Sequence, residues 1–151
     1  MYKRVLPWLP AVIALCLILY LTLQSPQETT ELSGTFHRWL LSLFPKGQAP
    51  DWLKDEHLIR SMAHIPEYFI LGCCFYFGFR SLPYSKTKVC LSTIAASGGI
   101  GLADEVLEAC LPTRHFEARD FGLDLVGAAL AVIFMMAVIT TLQNRKTNVI
   151  P

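Results

Sequence analysis

The sequence has little charge and none of the short motifs that mark soluble catalysts or nucleic-acid binders. Of its 151 residues 17% are charged and 53% are hydrophobic, and a mean hydropathy of +0.42 is too apolar for an ordinary soluble domain. No basic run is interleaved with aromatics, so no nucleic-acid surface is expected, and no glycine-rich loop follows a strand to cradle phosphate. There is no CxxC pair for a metal knuckle and no HExxH helix. The five cysteines are an odd number, and Cys16, Cys73, Cys74 and Cys90 lie in or beside apolar runs, leaving Cys110 as the exposed one. They read as small hydrophobes between helices rather than as a disulfide framework. Internal repeats and low-complexity segments are also lacking.

What remains is a set of apolar runs that predicts one all-α integral membrane domain over 1–151, with four transmembrane spans. The first run, 5–23, is broken only by Thr22, and at 1.5 Å per residue it reaches about 28 Å, close to a hydrocarbon core. Pro7 and Pro10 fall in its first turns, and Trp8 and Tyr20 suit the two interfaces. No A-x-A site follows, so the run reads as an anchor rather than a cleaved signal peptide. Residues 24–31, polar and holding Pro26, are expected to be a loop. Phe36, Trp39, Leu40, Leu43 and Phe44 then recur at helical spacing opposite His37, Arg38 and Ser42, which predicts a short amphipathic helix on the membrane surface. Pro45, Gly47 and Pro50 break the chain before a charged segment, 51–59, with Trp52, Leu53 and Leu58 as interface contacts. The later spans are expected at 62–79, at 89–107 with Gly98, Gly99 and Gly101 admitting a neighbour, and at 121–142 with a small face of Gly127, Ala128, Ala129 and Ala131.

The net charge of +1 says little, but the placement of thirteen basic and twelve acidic residues says more. Putting Lys3, Arg4, Arg80, Lys86, Lys88, Arg145 and Lys146 on one side leaves that side without an acid. The positive-inside rule then sets both termini in the cytoplasm and every acid, from Glu28 to Asp124, in the outer half.

The stretch 98–127 packs Asp104, Glu105, Glu108, Glu117, Asp120 and Asp124 beside Arg114 and Arg119, between two apolar runs. Ionisable groups near a bilayer core are costly and usually functional. His64 and Glu67 lie one helical turn apart, with Arg60 a turn earlier on the same side, and Asp120 and Asp124 share a face. Pro66 either sits in a first helical turn or kinks the span. Acids in a first turn also have a structural explanation, since they complement the positive helix end. Glu67 and Asp104 need a cation, for which Arg60 and Arg114 are candidates, or must take up a proton. Such a cluster can clamp four helices, bind an anionic headgroup through arginine, or act as acid and base on a lipid-linked substrate, with His64, Glu67 and Glu105 as catalytic candidates. A divalent metal at His64, Glu67 and nearby carboxylates is the lesser reading, because HxxE is not HExxH; no metal or cofactor is expected.

Arg60, Ala63, His64, Glu67, Tyr68, Leu71 and Gly72, followed by Asp104, Glu105, Pro112, Arg114, Asp120 and Gly127, resemble the VanZ-like family of small membrane proteins, over most of the chain. The resemblance implies a bacterial multi-pass protein of the cytoplasmic membrane that lowers sensitivity to glycopeptide antibiotics such as teicoplanin, with a lipid-linked cell-wall precursor or the glycopeptide as partner and no established enzyme activity. It assigns the family's acidic pair to Asp104 and Glu105, its loop arginine to Arg114, its later aspartate to Asp120 and its histidine to His64. Glu108, Thr113 and Asp124 depart from the family's common glutamine, glycine and asparagine. The added negative charges call for a cation or a proton. A membrane hydrolase or transferase acting on a lipid-linked phosphate headgroup, and a structural or accessory membrane subunit, are the alternative functions.

Overall fold

The computed structural model describes residues 5–24, 26–45, 48–112 and 114–147. Lys3, Arg4, Ser25, Gly47 and Thr113 lie outside the described residues, as do the side chains of Pro26, Glu28 and Lys146. The fold is all-helical. A 3-10 turn (Leu6–Trp8) leads into α1 (Leu9–Thr22), followed by α2 (Pro26–Ser42), α3 (Asp51–Lys54), α4 (Glu56–Met62), α5 (His64–Arg80), α6 (Lys86–Ala109) and α7 (Ala118–Thr147).

Local chemistry explains most of the boundaries. Pro7 and Pro10 occupy first-turn positions of the 3-10 turn and of α1, where a missing amide donor costs nothing. Asp55 separates α3 from α4 by accepting hydrogen bonds from the amides of His57 and Leu58 at 3.0 and 3.2 Å. A turn at Ala63 ends α4, and α5 starts at His64, which puts Pro66 in the first turn rather than at a kink. Ser85 caps α6 by accepting from the Lys88 amide. Residues 26–31 are not the expected loop but the start of α2. Pro26 at its first position is a start signal, and the polarity there belongs to a helix rather than to a turn.

Two helical segments, Lys86–Ala109 and Ala118–Arg145, are long and apolar enough to cross a membrane. Helices α1 and α5 have 14 and 17 residues, about 21 and 26 Å, below the ~30 Å of a hydrocarbon core. The first is shortened by the proline-rich 3-10 turn and the second by the break at Ala63. Large apolar side chains stay outside, including Ile13 and Leu17 on α1, Leu91 on α6 and Ile133 and Phe134 on α7. Water would penalise this surface; hydrocarbon would not. Cys16 is exposed on that surface, contrary to its expected burial, and no cysteine is in a disulfide. On α2 Phe36 and Trp39, and just past its end Leu43 and Phe44, are exposed, whereas His37 turns inward and donates from Nε2 to the Leu53 carbonyl at 2.6 Å. Lys54 holds the carboxyl of Asp51 below its usual range, but both groups are exposed and the pair adds little stability.

Helices α5, α6 and α7 form the bundle, and α1 lies against α5. Trp8, at the start of α1, packs edge-on against Phe79 near the end of α5, while Thr22, at its far end, meets Asp104 late in α6. The helices therefore alternate in direction. Arg80, Lys86 and Lys88 gather at one end, and His64, Asp104, Glu105, Asp120 and Asp124 at the other. The interior between is mainly apolar, with Thr93 and Ser97 as buried polar side chains on α6: Ala11, Ile18, Leu71 and Phe75 form one cluster with Tyr68, and Val89 and Val132 another with Tyr76.

The closest packing is between α5 and α7. A Cβ at Gly127 would lie 2.5 Å from the Ile65 carbonyl oxygen and 3.0 Å from the Phe69 amide nitrogen, so only glycine lets the backbones approach this far. Gly127, Ala128 and Ala131 form the expected small face, but Ala129 points outward. Of the three glycines expected to admit a neighbour on α6, Gly98 meets Leu125 and Gly101 meets Asp124, while Gly99 meets nothing within 4 Å. Gly127→Ala is therefore expected to cost about 1–3 kcal/mol, or about 2–4 °C of melting temperature per kcal/mol, in thermal unfolding of the detergent-solubilised protein. Gly99→Ala should leave the melting temperature unchanged or raise it; equal losses at both positions would refute backbone contact as the cause.

Candidate functional site

The polar end is built by four helix termini and one connection. Helix α5 brings His64 and Glu67 in its first turn, α6 brings Asp104, Glu105 and Glu108 in its last turns, and α7 brings Asp120 in its first turn and Asp124 in its second. Helix α1 ends there with Thr22, and the connection from α6 to α7 carries Arg114. Acids at the start of α5 and α7 are favoured by the positive helix end. Those late in α6 are not, and each of them needs a partner.

Two adjoining arrangements result. The first is an inner cluster around His64. Its Nδ1 donates to Asp124 Oδ1 at 2.9 Å, and its Nε2 stands 3.8 Å from Asp120 Oδ2. Asp124 is 0% exposed, and its other oxygen sits in the notch left by Gly101, where a Cβ would come within 2.6 Å. Glu105 is 1% exposed; its Oε2 accepts from the Glu117 amide at 2.8 Å, and its Oε1 has no hydrogen-bond partner. Asp120 Oδ1 likewise lacks a hydrogen bond, with Arg119 Nε at 3.6 Å as its nearest ion-pair contact.

The second is a cavity of about 310 Å³ lined by Arg60, His64, Glu67, Asp104, Glu108 and Arg114, with apolar walls from α1 and α2. Arg60, His64 and Glu67 thus share one side as expected, although Arg60 stands on α4 and the other two on α5. Arg114 lines the same cavity as Glu67 and Asp104. It donates to Glu108 through Nη1 and to the Gln24 carbonyl through Nη2 at 3.2 Å, and so ties α6 to the end of α1. Asp104 accepts from Thr22 Oγ1 and, at 3.4 Å, from the Tyr68 hydroxyl. Arg60 is exposed and Glu67 half-buried, and neither has an ion pair among the described residues.

Helix α4 is fastened by a network that the sequence reading passed over. Arg119 donates from Nη2 to Ser61 Oγ at 2.6 Å and to His57 Nδ1 at 2.8 Å, while His57 Nε2 faces Glu117 at 3.5 Å. Nothing in the spacing of Ser61 and Arg119 signals that contact. Thr22 did carry a signal, being the one polar residue in the first apolar run.

The arrangement can hold an anion at Arg60, a proton or metal ion between His64 and its carboxylates, or both. His64, Glu105 and Asp120 each offer a ligand atom within 4.8 Å of the others; Glu67, which the sequence paired with His64, lies instead on the cavity wall.

Thr22→Val keeps the shape of the side chain but removes the Asp104 donor, and is expected to cost about 1–3 kcal/mol in thermal or denaturant unfolding. The loss should shrink when Asp104→Leu is made in the same chain; strictly additive losses would show that the two groups do not interact. No protein-family model matches the chain, and no curated protein and no solved structure match it either.

Proposed function

We propose that the chain is a VanZ-like multi-pass protein of the bacterial cytoplasmic membrane that binds the headgroup of a lipid-linked envelope component and so lowers sensitivity to glycopeptides such as teicoplanin. In this reading α1, α5, α6 and α7 are four spans with both termini in the cytoplasm and the acidic end outside. The helix lengths of α6 and α7, the outward apolar side chains and the segregation of Arg80, Lys86 and Lys88 from the acids support it.

The observation that carries the binding function is the cavity at the acidic end, which is lined by both His64 and Arg60, the latter without an ion pair among the described residues. An arginine offers two parallel donors to a phosphate or carboxylate, and the apolar wall from α1 and α2 suits the first carbons of a lipid chain. The antibiotic part comes from the family resemblance alone. A second reading, a hydrolase or transferase acting on the same phosphate headgroup, is favoured by the 2.9 Å bond from His64 to Asp124. A carboxylate that orients a histidine is the pairing that a general base uses.

Arg60→Ala is expected to weaken binding of an anionic headgroup analogue by about 1.5–3 kcal/mol, about ten- to a hundredfold, in titration of the detergent-solubilised protein. In bacteria expressing the chain, the same change should abolish teicoplanin protection at an unaltered membrane level by blot. Arg114→Ala should lower the level itself, because Arg114 joins α6 to α1. Catalysis would show instead as His64→Ala abolishing turnover of a lipid phosphate while binding persists. No protection from the well-expressed wild type would remove the antibiotic function.

A further inference from the structure

The inner cluster has a feature that headgroup binding does not use. Glu105 and Asp124 are more than nine-tenths buried and Asp120 nearly so, and among the described residues the ion-pair contacts to the two aspartates come from His64 and, at the edge, Arg119. Arg114 is turned away, toward Glu108 and Gln24. Three carboxylates in so dry a place need more compensation than one imidazole supplies.

We propose that His64, Glu105 and Asp120 form a binding site for a divalent transition-metal ion of the Zn²⁺ type, with Asp124 as the outer carboxylate that orients His64. Three independent observations converge on it. The first is distance: one ligand atom from each residue lies within 4.8 Å of the other two, and His64 Nε2 and Asp120 Oδ2 are already 3.8 Å apart. Tetrahedral coordination with bonds of about 2.0–2.2 Å sets ligand atoms about 3.3 Å apart, so modest side-chain rotation closes the set around an ion. The second is orphaned polarity: among the described residues Glu105 Oε1 and Asp120 Oδ1, in the two carboxylates that the set needs, are buried without a hydrogen bond, as is Asp124 Oδ2 behind them. The third is the tautomer of His64. Because Nδ1 donates to Asp124, the lone pair of the neutral ring is on Nε2, the atom that faces Asp120. A carboxylate behind a ligating histidine is the usual support that fixes its ring and raises its basicity.

The donor set names the class of ion. One imidazole with two carboxylates suits Zn²⁺ or a neighbouring first-row dication, whereas Mg²⁺ and Ca²⁺ prefer oxygen alone. Three protein ligands leave a position open. His64 also lines the cavity, which sets the ion site beside it. The site stands without the headgroup reading, because it concerns the cluster behind the cavity wall.

The test uses the full chain in detergent, freed of metal by a chelator and titrated with Co²⁺ and Zn²⁺. The expected result is saturable binding of about one ion per chain, with a Co²⁺ absorption band and paramagnetically shifted histidine proton signals. A melting temperature that EDTA lowers and Zn²⁺ restores should accompany it. Glu105→Gln and Asp120→Asn should each abolish the band in protein with unchanged helical circular dichroism. Asp124→Asn should weaken affinity about 10–100-fold, and Glu67→Gln should leave it unaltered. Folded wild type without saturable binding overturns the proposal and leaves a protonated His64 shared by two aspartates. Binding that survives Glu105→Gln with Asp120→Asn in a folded chain overturns the ligand assignment, and the wild-type histidine signals decide the matter if those variants do not fold.

Discussion

Everything at the polar end depends on how closely α5 and α7 approach. Gly127 meets the backbone of α5 at Ile65 and Phe69. His64 precedes Ile65 by one residue, and Asp124 precedes Gly127 by about one helical turn. Once the two backbones are in contact, the imidazole and the carboxylate have nowhere to go but toward each other. Packing and polar pairing are therefore a single event, and a rotation of either helix would cost both.

The two ends of the bundle are held by different physics. Near Arg80 the contacts are aromatic and aliphatic, with Trp8 lying over Gly78 between Phe75 and Phe79. At the other end each late acid of α6 reaches a separate part of the chain: Asp104 the end of α1, Glu105 the start of α7's approach, and Glu108 the connecting arginine. Of these three only Glu108 with Arg114 is an ion pair, and a buried pair adds little net stability because desolvation offsets most of the attraction, although removing one partner is costly. The effect of the three contacts is on specificity: they select one register for the helix ends, while the apolar half supplies the adhesion.

Much of this could be read from the residues in order, and the parts that could not share a cause. Spacing along a helix shows which side chains share a face, so the grouping of Arg60, His64 and Glu67, and of Asp120 with Asp124, was legible. The opposition of basic and acidic ends was legible too, because it follows from alternating helix direction. Spacing does not show which face turns to which neighbour. Arg114 stands near several acids in the sequence, and only the path of the connection decides that it takes Glu108. Thr22 with Asp104 and Ser61 with Arg119 join distant segments, beyond any local pattern. The start of α2 was missed because polar residues after a proline fit a loop or an exposed helix equally well. Helices α1 and α5 came out shorter than their apolar runs because the 3-10 turn and the break at Ala63 interrupt hydrogen bonding without interrupting hydrophobicity.

Gly101 bears on how such a chain can change over time. The space that its missing side chain leaves is filled by the carboxylate of Asp124. A methyl group at 101 would push the carboxylate of Asp124 out of the notch, so the two positions are coupled. A substitution at 101 therefore acts first on the hydrogen bond between Asp124 and His64. The histidine's orientation would change before the helices themselves had to move.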